Sequence, residues 1–570
     1  MTVFPHYPER RHICLDGIWD FSWLGFECDI VKLKPAALKY DGHMAVPGVF
    51  DTCIDLFGRR GVGVYRRKLH LESVAGQKLC LKIGGLGLYA RLWWDNREIG
   101  ECKLPYSTVD YDFDAGKGTE HELIIAVDNR FDPGRIPLFN PNYDFYGYGG
   151  IYRSVSLQVL PVLRVERVRV STMDVSKGLV QLKILLGGKA PSELEFSVGF
   201  DYGLIKKLRK KVVKGEIVLE QLVPNFSPWS PGSPSLHTVQ VKIIGDSIVE
   251  RFGIRTVRTE GQKILVNGKP VRLVGVNRHE AHPELGPAQT SHLMLDDIRL
   301  MKDLGCNFVR CVHYPQDQAF LDICDETGML VWQESMGWNN TGKEALDPQF
   351  RKLQIEQTRL MVCNSINHPS VILWGFMNEG CSETKAGRRL YMDLAETVRA
   401  EDPSLLVTFA SNKCEKDLCF DFVDVIAINI YPGWIWPTDW LTETSKMIKP
   451  CVEAKAKFAS SPDLAGKPFI ISEIGACALY GCHDRANAQW SEEFQAEYFA
   501  EACRCVLGNP RFAGIALWQM FDTRSFVNAG EVRCKPRGFN CAGLLDEYRR
   551  PKLAYDTVRK IFHGNSKAHK

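Results

Sequence analysis

The sequence contains no run of about eighteen uninterrupted apolar residues, the length a helix needs to cross a bilayer. Its start, Met1-Thr-Val-Phe-Pro-His-Tyr-Pro-Glu-Arg-Arg11, has no apolar stretch of the kind a secretion signal carries. A cytoplasmic protein with no membrane partner is therefore expected. There is almost no excess of either charge: Lys plus Arg number 71 against 68 Asp plus Glu, a net +3. No overall field favours nucleic acid, and the short basic run Lys206-Lys-Leu-Arg-Lys-Lys211 is expected as a solvated loop. No Cys-x-x-Cys pair occurs. The nearest spacings, Cys503-Arg-Cys505 and Cys477 with Cys482, read as helix and loop positions, so no structural zinc is expected.

Cysteine itself is plentiful, at 19. An odd number scattered through predicted strands and helices, as with Cys306, Cys311, Cys324 and Cys363, reads as reduced core thiols and not as a disulfide framework. With 45% hydrophobic residues, 11% aromatics and 570 residues, the chain holds about three or four domains by the usual length prior.

Up to residue 160 the pattern is one of short alternating strands punctuated by Gly, Pro and Asn. Gly17-Ile-Trp-Asp-Phe-Ser-Trp23, Val64 to Leu71, Leu79 to Ile83, Leu123 to Val127 and Val155 to Val159 predict an all-β sandwich. Its loop Asn142-Tyr-Asp-Phe-Tyr-Gly-Tyr-Gly-Gly150 sets aromatics beside a carboxylate, Asp144. That composition suits either a sugar or packing between domains. Residues 161–257 carry a second set of alternating strands, predicting an immunoglobulin-like sandwich that acts as a spacer.

From residue 258 to 570 the period changes, and apolar runs of strand length alternate with helical ones. There are eight: Val271 to Val276, Phe308 to Val312, Met329 to Trp332, Val371 to Phe376, Leu405 to Phe409, Val425 to Ile430, Phe469 to Ile471 and Ile515 to Trp518. Eight strands with helices between them predict a (β/α)8 TIM barrel. Phe494, Tyr498, Ala502 and Val506 recur at helical spacing, as do Ala554, Val558 and Phe562, with Pro551 expected just inside the last helix.

The strand ends carry the chemistry, as is usual on the carboxyl rim of such barrels. The fourth ends in Asn378-Glu379 and the seventh in Glu473. Around them stand Asn277 to Glu280, Arg310, His313-Tyr-Pro315, Gln333-Glu334, Asn429, Tyr431, Trp518 and Asp522. Two carboxylates flanking a glycosidic bond can divide the work of hydrolysis, one attacking the anomeric carbon and one protonating the leaving group, when they lie ~5–5.5 Å apart.

These residues together resemble the β-glycosidases of glycoside hydrolase family 2, in the β-glucuronidase branch. The resemblance runs the whole chain, through Leu15-Asp-Gly-Ile-Trp-Asp-Phe21, Gly149-Gly-Ile-Tyr-Arg-Ser-Val155, Gly275-Val-Asn-Arg-His-Glu280, Asn307-Phe-Val-Arg310, Asn367-His-Pro-Ser-Val371 and Ile471-Ser-Glu473. It implies a sugar-binding jelly roll, an immunoglobulin-like domain and a catalytic barrel, in that order. It also implies a retaining exo-glycosidase with Glu379 as acid/base and Glu473 as nucleophile. Asn378 would meet the sugar 2-hydroxyl, Arg310 and Tyr431 would hold the nucleophile, Asp144 would reach in from the jelly roll, and Trp518 would form the subsite floor. His279 and His313 fall in the family signatures, and for each a structural role stands beside substrate binding; Glu334 is expected no closer than a supporting position. A dimer or tetramer acting on a glycoside or oligosaccharide, with no cofactor, completes the implication.

Two departures bear on substrate. Where the family's glucuronidases carry an Asn-x-Lys-Gly motif that binds the sugar carboxylate, this chain reads Asn540-Cys-Ala-Gly543. A methyl group cannot bind an anion. Either another cation of the same loop reads the carboxylate, among Arg524, Arg533, Lys535 and Arg537, or the sugar is neutral, such as a β-galactoside. The segment Ser335 to Asp347 is shorter than the inserted loop of some bacterial glucuronidases, which implies a more open mouth. Met336 stands where the magnesium pattern of large β-galactosidases would need a histidine, so no metal is expected. The expected activity is hydrolysis of terminal β-glucuronides or β-galacturonides, with a β-galactosidase as the alternative and a non-catalytic carbohydrate-binding protein as the distant one.

Overall fold

The computed structural model describes residues 4–72, 74–132, 134–136, 145–434, 444–525 and 535–568. Eight parallel strands close into a barrel in sequence order. They are β1 (Leu273–Arg278), β2 (Phe308–Cys311), β3 (Leu330–Trp338), β4 (Val371–Asn378), β5 (Leu406–Ser411), β6 (Ile426–Asn429), β7 (Phe469–Glu473) and β8 (Gly514–Leu517). Each matches one predicted apolar run to within a few residues. The exception is β3, which continues through Gln333, Glu334 and on to Trp338, so these polar residues lie within the strand and not after it.

Local chemistry sets the helix boundaries. The Thr290 hydroxyl accepts from the Leu293 amide to start the helix Ser291–Leu304, and Gly305, at φ 95°, ends it in a left-handed turn that glycine adopts without a Cβ clash. Phe494, Tyr498, Ala502 and Val506 form the buried face of the helix Glu492–Leu507, as their spacing predicts. Pro551 is not inside the last helix, which begins at Leu553. The Lys552 ammonium is drawn into the core by Asp522 at 2.7 Å, holding the chain extended until the Leu553 amide meets Glu492 at 2.7 Å.

Two β-sandwiches precede the barrel. In the first, an antiparallel sheet of four strands faces one of six across Trp19, Phe21, Leu81, Leu123, Ile125 and Val127. Its strand Glu120–Asp128 is buried on both faces, for Ile124 and Ala126 point the other way into a cluster with Tyr146, Tyr148 and the barrel residues Tyr314 and Met336. The sandwich therefore packs directly on the barrel, and Met336 is a packing residue of that junction. The buried pair Arg153–Glu280, at 2.5 Å, spans the same junction. The second sandwich pairs sheets of three and four strands around Val168, Leu182, Phe196 and Val241.

The basic run Lys206–Lys211 is an edge strand of that second sandwich, not a loop, and pairs with Glu193–Phe200. Long cationic side chains on an edge conceal the apolar alternation while discouraging pairing with another chain. Cys306, Cys311, Cys324 and Cys363 are buried free thiols, whereas Cys14 and Cys53 are exposed. Among the described residues no helix is long and apolar enough to cross a membrane.

Candidate active site

Strand β4 is wholly buried, and its ladder slips twice near its end, between Ser335 and Trp338 against β3 and between Gly375 and Asn378 against β5. Met377 (φ 55°) and Glu379 (φ 51°) take left-handed backbone values that cost a residue with a side chain on the order of 1 kcal/mol. A regular strand would send Asn378 and Glu379 to opposite faces. Here the bulge turns both toward Asn429 at the end of β6, whose Nδ2 donates to Asn378 Oδ1 at 3.1 Å and to Glu379 Oε1 at 2.8 Å.

Arg310 on β2 is the hub. Its guanidinium is fully buried over the Trp332 ring, 4.6 Å from the centroid, and Trp332 fits there because β4 presents Gly375, where a Cβ would lie 2.0 Å from the indole nitrogen. Nη1 donates to Glu473 Oε1 at 2.6 Å and to Asn277 Oδ1 at 3.1 Å, while Nη2 donates to Asn378 Oδ1 at 2.8 Å. Nε and Nη2 both reach Glu334 Oε2, at 3.0 and 2.9 Å. The Tyr431 hydroxyl donates a short hydrogen bond to the second Glu473 oxygen. The Ser472 hydroxyl fixes Asn429 through its Oδ1 at 2.7 Å. Thus Glu379, Glu473, Asn378, Arg310 and Tyr431, from β2, β4, β6 and β7, meet in one network.

Electrostatics follow from burial. Desolvation pushes the Glu473 carboxyl up to about 7; the Glu379 charge adds to the rise, while Arg310 and the Tyr431 hydroxyl oppose it. Burial likewise pushes Glu334 up to about 7 against the pull of Arg310. His313 is driven down to about 3 by burial and Arg310, and His279 well below its usual value by burial and the two neighbouring cations, so both rings are neutral. The Asn378 Nδ2 is buried with no hydrogen-bond partner, an unusual state for an amide and one that a ligand hydroxyl would relieve.

The wall is aromatic. Trp518, after β8, stacks on His313 (5.4 Å, 16°) and meets His279 edge-on at 5.6 Å. Phe145 of the first sandwich lies 5.6 Å from His279 and 5.4 Å from Tyr314, so the aromatic loop of that domain closes on the barrel mouth. Asp144 and Arg533 lie outside the described residues.

The loop after β8 stands apart from this network. Asn540 Oδ1 accepts from the Ala542 amide at 3.1 Å, and the Ala542 methyl is buried. Arg524 opposes Phe539 in a two-residue ladder, and its guanidinium turns to the first sandwich, donating to Asp51 O at 3.2 Å and lying 3.9 Å from the Tyr146 centroid. Arg537 pairs with Glu547 at 3.1 Å and keeps 57% of its side chain exposed. Asn277, Glu334 and Asn429, which the sequence places on the rim without a catalytic or binding role, and Ser472, which it does not single out, are members of the network. Their positions inside the motif stretches, one residue from a chosen group in the case of Ser472, were the available signal.

A family model described as "Glycosyl hydrolases family 2, TIM barrel domain" matches residues 257–564, and one described as "Glycosyl hydrolases family 2" matches residues 163–255. The beta-glucuronidase of Canis lupus familiaris is 28% identical over 615 aligned residues, covering 96% of this chain and 92% of the relative. The solved GH2 beta-galacturonidase from Eisenbergiella tayi bound to galacturonate superposes with TM-score 0.87 at 29% identity, covering 99% of each chain. The Faecalibacterium prausnitzii beta-glucuronidase superposes with TM-score 0.85 at 26% identity, covering 99% of this chain and 98% of that one.

Proposed function

Since the chain belongs to glycosyl hydrolases family 2 and is a glycoside hydrolase, we propose that it is a retaining exo-β-glycosidase acting on terminal β-uronides, a β-glucuronide or β-galacturonide. The observation that carries the reading is the Arg310 network, in which the guanidinium holds Glu473 of β7 directly and Asn378 and Asn429 link it to Glu379 at the end of β4, beside an unpartnered amide.

Glu473 is the nucleophile. Arg310 and the Tyr431 hydroxyl stabilise its charge, and its carboxylate attacks the anomeric carbon to form a glycosyl ester as the aglycone leaves. Glu379 is the acid/base. The proton it carries goes to the departing oxygen; it then takes one from the water that cleaves the ester, which returns Glu473 as carboxylate. Asn378 Nδ2 donates to the 2-hydroxyl, a bond that strengthens as positive charge develops at the anomeric centre. Trp518, backed by His313 and His279, is the apolar floor. Asp144 is assigned a sugar hydroxyl, and Asn540 the carboxylate side of the sugar.

For that carboxylate Arg537 is the reader we favour. It stands two residues before Phe539-Asn540 with an exposed guanidinium, and a substrate carboxylate would exchange with Glu547 as its bidentate partner. The buried Ala542 methyl favours the second reading, a neutral β-galactoside. Initial rates on the nitrophenyl β-D-glucuronide, β-D-galacturonide and β-D-galactoside separate the two. A uronide preference that Arg537→Ala abolishes supports the first, a galactoside preference establishes the second, and no hydrolysis of any sinks both. We extend to this chain the family's expectation of a dimer or tetramer.

A further inference from the structure

We infer that Glu334 is a positioning residue that competes with the nucleophile for Arg310, and so sets how much positive charge Glu473 receives. The inference rests on the assignment of Glu473 as nucleophile. Glu334 is fully buried in mid-β3, and one of its oxygens takes both the Nε and the Nη2 of Arg310. Only the Nη1 edge then remains for Glu473, at 2.6 Å. The second Glu334 oxygen lies 3.4 Å from Nδ1 of His313, the ring on which Trp518 stacks. One carboxylate therefore touches both the cation behind the nucleophile and the ring behind the sugar floor.

The titratable groups facing this pair come from several elements. Arg310 and Cys311 come from β2, His313 from the turn after it, Glu379 from β4 and Tyr431 from the turn after β6. Among the described residues, Arg310 is the one cation in contact with either carboxylate, both neighbouring histidines being driven toward the neutral form by burial. Two anions sharing one cation each receive less of it than either would alone. A more weakly neutralised Glu473 is a more basic, and so a stronger, nucleophile.

The test is the pH profile of kcat/KM on the substrate the wild-type enzyme prefers, for wild type, Glu334→Gln and Glu334→Asp. Glutamine keeps the shape and removes the competing charge. Aspartate keeps the charge but withdraws it from the fork. Both are expected to move the acid limb to lower pH, glutamine by about one unit and aspartate by less, with kcat reduced roughly tenfold and KM little changed. A purely structural role would lower kcat with the acid limb unmoved in both, and that result overturns the inference. If Glu334→Gln yields no folded protein, the aspartate profile alone decides. If the limb in wild type is not abolished as a whole by Glu473→Ala, the nucleophile assignment fails instead.

Discussion

Arg310→Lys is the substitution most sensitive to the geometry described. Lysine keeps the charge but replaces a planar fork of five donors by one point charge, and a single ammonium cannot serve Glu473, Asn378 and Glu334 at once. If it follows Glu334, the bonds to Glu473 and to Asn378 are both lost or lengthened. Hydrogen bonds involving a charged group are worth ~1.5–3 kcal/mol each, so about 3–6 kcal/mol is withdrawn from the reacting arrangement. At 1.36 kcal/mol per tenfold in rate, kcat/KM should fall by about two to four powers of ten. The sign of the accompanying pH effect also follows. Glu473 acts ionised, so activity is present above its pKa and lost as pH falls through it. Moving the cation away raises that pKa beyond about 7, and the acid limb should shift to higher pH. Steady-state kinetics over pH 5 to 9, with circular dichroism to verify folding, would measure both. A variant within threefold of wild type, with an unmoved limb, would refute the hub role of Arg310.

Glu379→Gln removes the group that must carry a proton in the first step, so the alkaline limb of kcat/KM should be lost. Aryl uronides with good leaving groups should still form the glycosyl enzyme, and added azide should restore turnover; loss that azide does not restore would count against the acid/base role. Arg153→Ala strips the partner from the fully buried Glu280 at the sandwich–barrel junction and should cost about 3–5 kcal/mol in urea unfolding. Burial already raises Glu280, so its unpaired charge is the penalty. The loss should be largest at alkaline pH and ease as acid neutralises the carboxyl; a pH-independent loss would point to packing alone.

The barrel was legible because each of its strands is buried on both sides and reads as an apolar run between turn signals. The same logic placed Glu379 and Glu473, since a carboxylate directly after such a run is conspicuous. What escaped was whatever depends on pairing across the chain. The length of β3 was hidden because Gln333, Glu334 and Ser335 interrupt its apolar run and its ladder slips between Ser335 and Trp338, with Glu334 serving Arg310 and Met336 packing at the sandwich junction. Glu334 looked like a loop residue for the same reason. The Lys206–Lys211 strand was masked by its edge position. The loop from 524 to 540 is the least legible part, since a guanidinium's target depends on where the first sandwich docks, as Arg524 demonstrates.

The central claim, that Glu473 forms a covalent bond to the sugar, is open to one direct measurement. The enzyme would be inactivated with a 2-deoxy-2-fluoro-β-uronosyl fluoride, digested and mapped by mass spectrometry. A single uronosyl adduct on the peptide carrying Ile471-Ser-Glu473 is the predicted result. An adduct on any other residue, or turnover with no trapped intermediate and inverted product, would contradict it.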